Sequence, residues 1–375
     1  MKSEHTILFD ARAAVNEYPG MNRYIRSLLT NLVPLLNPDE QLHVILSPEA
    51  DALPCLLHPR VTTHRVSASF ETFKSQYQAY KVAHMVNAEI HHAPYILTPI
   101  RVPGKMVLTM HDILPLSHPQ YSTLWQRMLW WYMGLRTVRH SRKIIGVSNC
   151  AIQMCAQKFG LRIIKRSCVI YPGISTYFTP ASEDSVAAFK ERHGLPEKFF
   201  LYVGSDRPHK NIATLLEAMA LMDPTATIPL VIAGFESENS KLRDRVKELE
   251  LETRVQWLGI IPEEEMPTLY ASAHTFLFPS LVESFGFPVL ESMACGTPVI
   301  CSALGVLKEI TDGAAKIVHP TDRQEWKRAM GLALGSLEWR ETYREKGLRR
   351  TDLFRWDACA SATLNVYRSL YRKRS

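Results

Sequence analysis

A chain of 375 residues, 46% hydrophobic and 22% charged, is long enough for more than one buried core, and two domains is the expectation its length sets. No apolar run of transmembrane length and no leader-like N-terminus is present, so a cytoplasmic protein is expected, with at most a peripheral contact on the inner face of the plasma membrane. Seven scattered cysteines without a Cys-x-x-Cys pair argue against a disulfide scaffold or a zinc centre and predict reduced thiols.

The net charge of +7 is unevenly placed: residues 1–175 hold 19 Lys and Arg against 10 Asp and Glu, and residues 176–375 hold 25 against 27. Between Asp112 and Glu183 there is no acidic residue, while nine basic ones run from Arg127 to Arg166. An anionic partner is therefore expected for the N-terminal half. Nucleic acid is set aside, because no recognition-helix, zinc-finger or RNA-binding signature accompanies the charge.

In chain order, Thr6–Asp10 reads as a buried strand, followed by a loop through Pro19-Gly20 and a helix over Asn22–Leu36. Short apolar strands recur at Leu42–Leu46, Glu89–His92, Lys105–Met110 and Lys143–Val147, with helices over Phe73–Val86 and Leu124–Val138 between them. This alternation predicts a parallel sheet covered by helices. Pro172–Pro180 reads as a linker, after which the pattern restarts. Strands are expected at Phe199–Val203, Leu230–Ala233, Val255–Leu258, Thr275–Phe278 and Pro298–Cys301, and helices over Ile212–Met222, Lys241–Leu249, Glu263–Ser272, Val289–Cys295 and Arg323–Gly335. The expected architecture is two doubly wound α/β domains, over 1–172 and 173–355, with a closing helix over 356–375.

In doubly wound sheets ligands bind beyond the carboxyl ends of the strands. After Phe199-Leu-Tyr-Val comes Gly204-Ser205-Asp-Arg207-Pro-His-Lys210-Asn, a glycine and several cations before a helix. Gly204 permits close backbone approach, and Arg207 and Lys210 supply charge for a diphosphate; the bland alternative is a solvated turn. The second cluster, Glu283-Ser284-Phe285-Gly286-Phe287-Pro-Val-Leu-Glu291, crosses a glycine loop and enters a helix. Glu283 and the amides of Phe285 and Gly286 are placed to meet sugar hydroxyls, and Glu291, two turns on, to chelate a ribose diol.

This segment resembles the E-x7-E signature of retaining GT-B glycosyltransferases, in particular glycosyltransferase family 4 with its bacterial mannosyltransferases. The resemblance extends over nearly the whole chain: Gly20-Met-Asn-Arg-Tyr-Ile is similar to the glycine loop after the first strand, and Met110-His111-Asp112 to the His-Asp turn beside the donor sugar. Val147-Ser148, Tyr171-Pro-Gly173, Gly313–Asp322 and the closing Tyr367–Tyr371 also fit. One departure is His209, which stands where the family pattern has arginine. The resemblance implies a GT-B fold of two Rossmann-like domains facing each other across a cleft, with the last helix returning to the N-terminal domain. It further implies transfer of a hexose with retained configuration, mannose from GDP-mannose being favoured and a UDP-sugar the alternative. The acceptor would be a glycan or a polyprenyl-diphosphate-linked lipid of surface polysaccharide or O-antigen assembly. Glu283, His111, Lys210 and Arg207 would be the catalytic set, with His111 orienting the sugar. Gly20, Asp112, Gly204, Ser205, Ser284, Phe285, Gly286, Phe287 and Glu291 would complete the nucleotide-sugar site. No cofactor and no metal are expected, since no Asp-x-Asp pair stands at a strand end and the Arg/Lys pair supplies the charge. A sugar-nucleotide epimerase and a non-catalytic partner subunit of the same fold are the competing readings.

Residues 124–143 combine Trp125, Trp130, Trp131 and Tyr132 with Arg127, Arg136, Arg139, Arg142 and Lys143. This resembles an interfacial helix for an anionic membrane or a lipid-diphosphate acceptor, and ordinary packing on the N-terminal sheet is the alternative.

Overall fold

A computed structural model describes residues 5–15, 18–50, 53–99, 101–111, 113–117, 120, 122–236 and 240–372. The chain forms two compact units, one of residues 1–173 with 354–375 and one of residues 174–353.

The first unit holds a seven-stranded parallel sheet in the order β3-β2-β1-β4-β5-β6-β7. Its strands are β1 (His5–Asp10), β2 (Glu40–Leu46), β3 (Val61–Arg65), β4 (Ile90–Ala93), β5 (Lys105–Met110), β6 (Ser141–Gly146) and β7 (Ser167–Val169). The central strands β1, β4 and β5 are buried on both faces, as a helix-covered parallel sheet requires, and their buried residues are apolar apart from Asp10, His91, His92 and Thr109. The second unit repeats the plan with six parallel strands in the order β10-β9-β8-β11-β12-β13. These are β8 (Phe200–Val203), β9 (Leu230–Ala233), β10 (Val255–Gly259), β11 (Thr275–Phe278), β12 (Val299–Ser302) and β13 (Lys316–Val318). Its core joins strand residues such as Phe200, Tyr202 and Ile300 to Leu215, Met219, Trp326 and Met330 from covering helices.

Both sheets have a point where the strand order reverses. In the first it lies between β1 and β4, which pair through Phe9 and His92; in the second it lies between β8 and β11, which pair through Leu201 and Phe276. There the loops leaving two adjacent strands run to opposite sides and leave room for a ligand.

The closing helix, Trp356–Leu370, belongs to the first unit. Arg368 grips Glu40 of β2 with two bonds, 2.8 and 2.9 Å, and Tyr371 stacks on His5 at 3.9 Å. His92 of β4 bonds Tyr367 on this helix and Thr109 of β5, the latter at 2.8 Å. Gly173 is needed at the crossing, since a Cβ there would lie 2.2 Å from the Trp356 amide nitrogen.

Several elements differ from the sequence expectations. The first helix starts at Pro19 and ends at Leu32, not Asn22 to Leu36, because proline suits the first helical turn and Pro34 lacks the amide to continue it. The expected helix over Glu263–Ser272 opens as a 3-10 turn, Glu263–Glu265, and becomes α-helical only over Met266–Ser272. Unforeseen elements include β3, β7 and β13, the Ser182-capped helix Glu183–Arg192, and the helices Asn149–Phe159, Gly305–Thr311 and Leu337–Thr351.

Candidate active site

The loops leaving β8 and β11, at the reversal point of the second sheet, carry the two predicted clusters. After β8 the chain turns at Gly204, where a Cβ would come within 2.6 Å of the Tyr202 hydroxyl. That hydroxyl donates to the Ser205 carbonyl at 2.9 Å. Burial, with the Glu283 and Asp206 carboxylates nearby, pushes the Tyr202 phenol well above its ordinary range, so it stays a donor. A 3-10 turn, Pro208–Lys210, follows, and Asn211 takes a left-handed conformation, φ 59°. Its side-chain amide donates to the carbonyls of Pro279, 3.0 Å, and Pro320, 2.7 Å. The Leu281 amide donates back to the His209 carbonyl at 2.8 Å. The β8 and β11 loops are thereby joined by one backbone hydrogen bond and by the short Asn211 side chain bonded to backbone.

Within this frame Lys210 Nζ lies 2.6 Å from Glu283 Oε1, with the two side chains 19% and 11% exposed. The ammonium also sits 5.5 Å from the centre of the Phe278 ring. Arg207 is exposed at the entry to the turn, so its charge is available but not fixed by packing. Past Glu283, Ser284 and Phe285 lead to Gly286, which takes φ 107° and starts the helix Phe287–Ala294. Only glycine fits there: the conformation is left-handed, and a Cβ would meet Leu307 at 2.7 Å. The Phe285 and Phe287 rings pack edge-on at 5.1 Å and shape the loop behind this helix start. The first turn of a helix presents amide donors and a positive dipole end, which suits anionic or hydroxyl oxygen.

Glu291 is buried, 3% exposed, and accepts a hydrogen bond from Tyr270 at 3.0 Å. Tyr270 is itself held by Thr297, whose hydroxyl donates to the Tyr270 carbonyl at 2.6 Å. The Ser280 hydroxyl, just past β11, is fully buried without a hydrogen-bond partner. Sequence reasoning missed Asn211, Tyr270 and Ser280. Only the Asn-Ile helix start at 211–212 gave a local hint of one of them.

In the first unit, His111 follows β5, half-buried, with its Nε2 enclosed and unpartnered. Burial lowers its pKa to about 4, so at neutral pH the ring is uncharged. The Tyr24 ring meets it edge-on at 4.5 Å. Asp112 lies outside the described residues. Gly20 stands in the first turn of the helix Pro19–Leu32 instead of the loop before it, and a Cβ there would touch nothing within 4 Å.

At this unit's own reversal point the structure holds a cluster that was not foreseen. Arg12 donates from Nε and Nη2 to both oxygens of Asp10, at 2.8 and 2.7 Å, with both residues fully buried. Its Nη1 reaches Ser75 at 3.0 Å. Burial works against ionising Asp10, but Arg12 beside it holds the carboxyl below the ordinary range. His91, fully buried beside this pair, has no partner on either ring nitrogen, and burial lowers its pKa to about 4.

The family described as Glycosyl transferases group 1 matches residues 185–350. The chain is 31% identical over 291 residues to O-antigen chain mannosyltransferase B of Escherichia coli, covering 75% of this chain and 74% of that one. It is 27% identical over 223 residues to O-antigen chain mannosyltransferase RfbU of Salmonella typhimurium, covering 60% and 59%. Among solved structures, sucrose-phosphate synthase from Thermosynechococcus elongatus superposes with a TM-score of 0.79 at 22% identity, covering 98% of this chain and 99% of that one. WaaG, a glycosyltransferase involved in lipopolysaccharide biosynthesis, superposes with a TM-score of 0.74 at 16% identity, covering 96% and 99%; likeness at these identities speaks for the two-Rossmann GT-B fold alone. With the signature segment, the sheet topology and a relative of this similarity together, the chain belongs to the glycosyl transferases group 1 family and is a glycosyltransferase.

Proposed function

We propose that this glycosyltransferase moves mannose from GDP-mannose, with retained anomeric configuration, to a glycan or polyprenyl-diphosphate-linked acceptor of O-antigen or related surface polysaccharide. The sugar and pathway rest on the relatives named O-antigen mannosyltransferases. The observation that carries the chemistry is the Lys210–Glu283 pair, fixed between two joined loops at a sheet reversal point. Lys210, with the exposed Arg207, stabilises the negative charge that collects on the diphosphate as the glycosidic bond breaks. Gly204, Ser205 and the helix start at Ser284–Phe287 hold diphosphate and sugar oxygens, and Glu283 accepts from sugar hydroxyls. Glu291, steadied by Tyr270, takes the ribose. The sugar-orienting role of His111, and those of Gly20 and Asp112, rest on the family resemblance; a neutral His111 suits hydrogen bonding to a hydroxyl better than ion pairing.

Because the cationic charge comes from side chains, donor binding needs no divalent ion. Purified protein is incubated with GDP-mannose, UDP-glucose and other nucleotide sugars, with and without EDTA. Donor-dependent release of GDP, insensitive to EDTA, is the expected result. Epimerised sugar nucleotide, or no nucleotide binding at all, overturns it.

No helix among the described residues is long and apolar enough to span a bilayer. The helix Leu124–His140, capped by Thr123 and Gln126, instead leaves a row of large apolar side chains in solvent: Trp125 is 69% exposed, Met128 57% and Trp131 51%. They line a cavity of about 580 Å³ together with Leu116, Tyr132, Arg127 and Lys158. Aromatic side chains at headgroup depth beside cations, within an acid-free segment, suit an anionic bilayer surface. Co-sedimentation with phosphatidylglycerol vesicles but not phosphatidylcholine vesicles, lost in a Trp125→Ser/Trp131→Ser variant, is expected; equal binding to both lipids, or to neither, refutes it.

A further inference from the structure

The Lys210–Glu283 pair has a property that neither residue has alone. Each reaches the other at 2.6 Å, so Glu283 engages the same cation that a diphosphate requires. The backbone that carries each residue is held in place, so only the side chains can change partners. Asn211, next to Lys210, is tied to Pro279 and Pro320, and Leu281, two residues before Glu283, is tied to His209. The pair is also largely shielded, 19% and 11% exposed, so separating it leaves a carboxylate poorly compensated by water.

Two ligands compete for this site in any turnover, the sugar nucleotide and the nucleoside diphosphate left after transfer. The sugar nucleotide draws Lys210 toward the diphosphate and offers Glu283 sugar hydroxyls as replacement donors. The nucleoside diphosphate draws Lys210 in the same way but brings no donor for Glu283. It also adds a terminal phosphate charge facing the carboxylate. We propose that Glu283 sets the selectivity between donor and product by competing with the diphosphate for Lys210, so that product binds weakly and leaves. This rests on the donor-site reading above and adds a second role for Glu283. Selectivity built by repelling the wrong ligand needs no extra contact with the right one.

The test is calorimetric titration of GDP and GDP-mannose, with UDP and UDP-glucose as a second pair, into wild type, Glu283→Gln, Lys210→Met and the double variant. Glu283→Gln keeps shape and hydrogen-bonding capacity and removes only the charge. It is expected to bind GDP at least about tenfold more tightly than wild type, about 1.4 kcal/mol, with GDP-mannose no tighter. In the Lys210→Met background the same change is expected to give less than a twofold gain, a coupling that general damage to the fold does not produce. If the glutamine variant fails to fold, Glu283→Ala, which also removes the charge, reads the same gain. A Glu283→Gln protein that binds GDP no more tightly than wild type, or gains equally without Lys210, overturns the inference. Failure of folded wild type to bind any of the four ligands overturns the donor-site reading instead.

Discussion

The two units build the same doubly wound sheet and treat its reversal point in opposite ways. In the second unit the loops after β8 and β11 leave a charged pair partly open, Lys210 with Glu283. In the first, the space after β1 and β4 is filled from within by Arg12, clamped on Asp10 and fully buried beside the uncharged His91. A shared topology thus marks two places for a ligand, and side-chain chemistry closes one of them. Charge left partly exposed can exchange partners, whereas charge buried in a bidentate pair is committed to the fold.

The largest effect that can break this contrast is at Arg12. Arg12→Met leaves Asp10 buried without its partner and should cost about 3–5 kcal/mol, seen as a much lower melting temperature. An Asp10→Leu/Arg12→Met double variant should recover a large part of that loss. If Arg12→Met melts like wild type and loses only turnover, the first reversal point is a ligand site after all.

At the other point the expectation is reversed. Lys210→Met should lower kcat about 10²–10³-fold while melting falls much less than in Arg12→Met, because Glu283 keeps some contact with water. A large drop in melting with normal residual turnover per folded molecule would place Lys210 among structural residues.

How legible was this contrast in the sequence? Five of the six strands of the second unit, β8 to β12, lie within a residue or two of their expected bounds, because each is a short apolar run that ends at or just before glycine, proline or serine, whereas the three-residue β13 is too short to stand out. By contrast, β3 is Val-Thr-Thr-His-Arg, an edge strand too polar to stand out, and the helix Leu337–Thr351 is so charged that it has no clear apolar stripe. The cluster Glu283–Glu291 was visible because glycine, proline and apolar residues constrain it locally. Its contact with Lys210, 73 positions away, was not, since no local pattern encodes a meeting of two loops. In the sequence Asp10 reads only as the end of a strand and nothing sets Arg12 apart; their burial depends on Ser75 and Tyr95, which only the fold brings near. Glu291 was legible as a residue but not its burial, nor Tyr270 beside it.

Acid should also separate the units. Burial lowers His91 to about 4, His92 to about 3 and His111 to about 4, and in the second unit it lowers His274 to about 4. The unfolded chain takes up these protons near the ordinary 6.5, so their contribution is complete above that pH and is lost as pH falls toward the folded values. Tryptic digestion of the protein between pH 7 and 4, after a brief acid pulse, should release peptides from the first unit before the second. The reverse order would show that the three histidines do not govern acid stability.

The smallest effect expected is at Tyr270. Tyr270→Phe removes one hydrogen bond to Glu291 and should weaken GDP-mannose binding by about 1 kcal/mol. The loss should vanish with a donor lacking the ribose hydroxyls; an equal loss with both donors would show that Tyr270 supports packing and not the ribose contact.

Hydrogen–deuterium exchange with and without GDP-mannose tests the division most directly. Protection is expected in residues 204–211 and 279–291, with the amides of residues 10–12 and 90–93 unchanged. Protection that instead centres on residues 10–12 and 90–93, leaving the loops around Lys210 and Glu283 exchanging as before, would contradict the assignment of the donor site to the second unit.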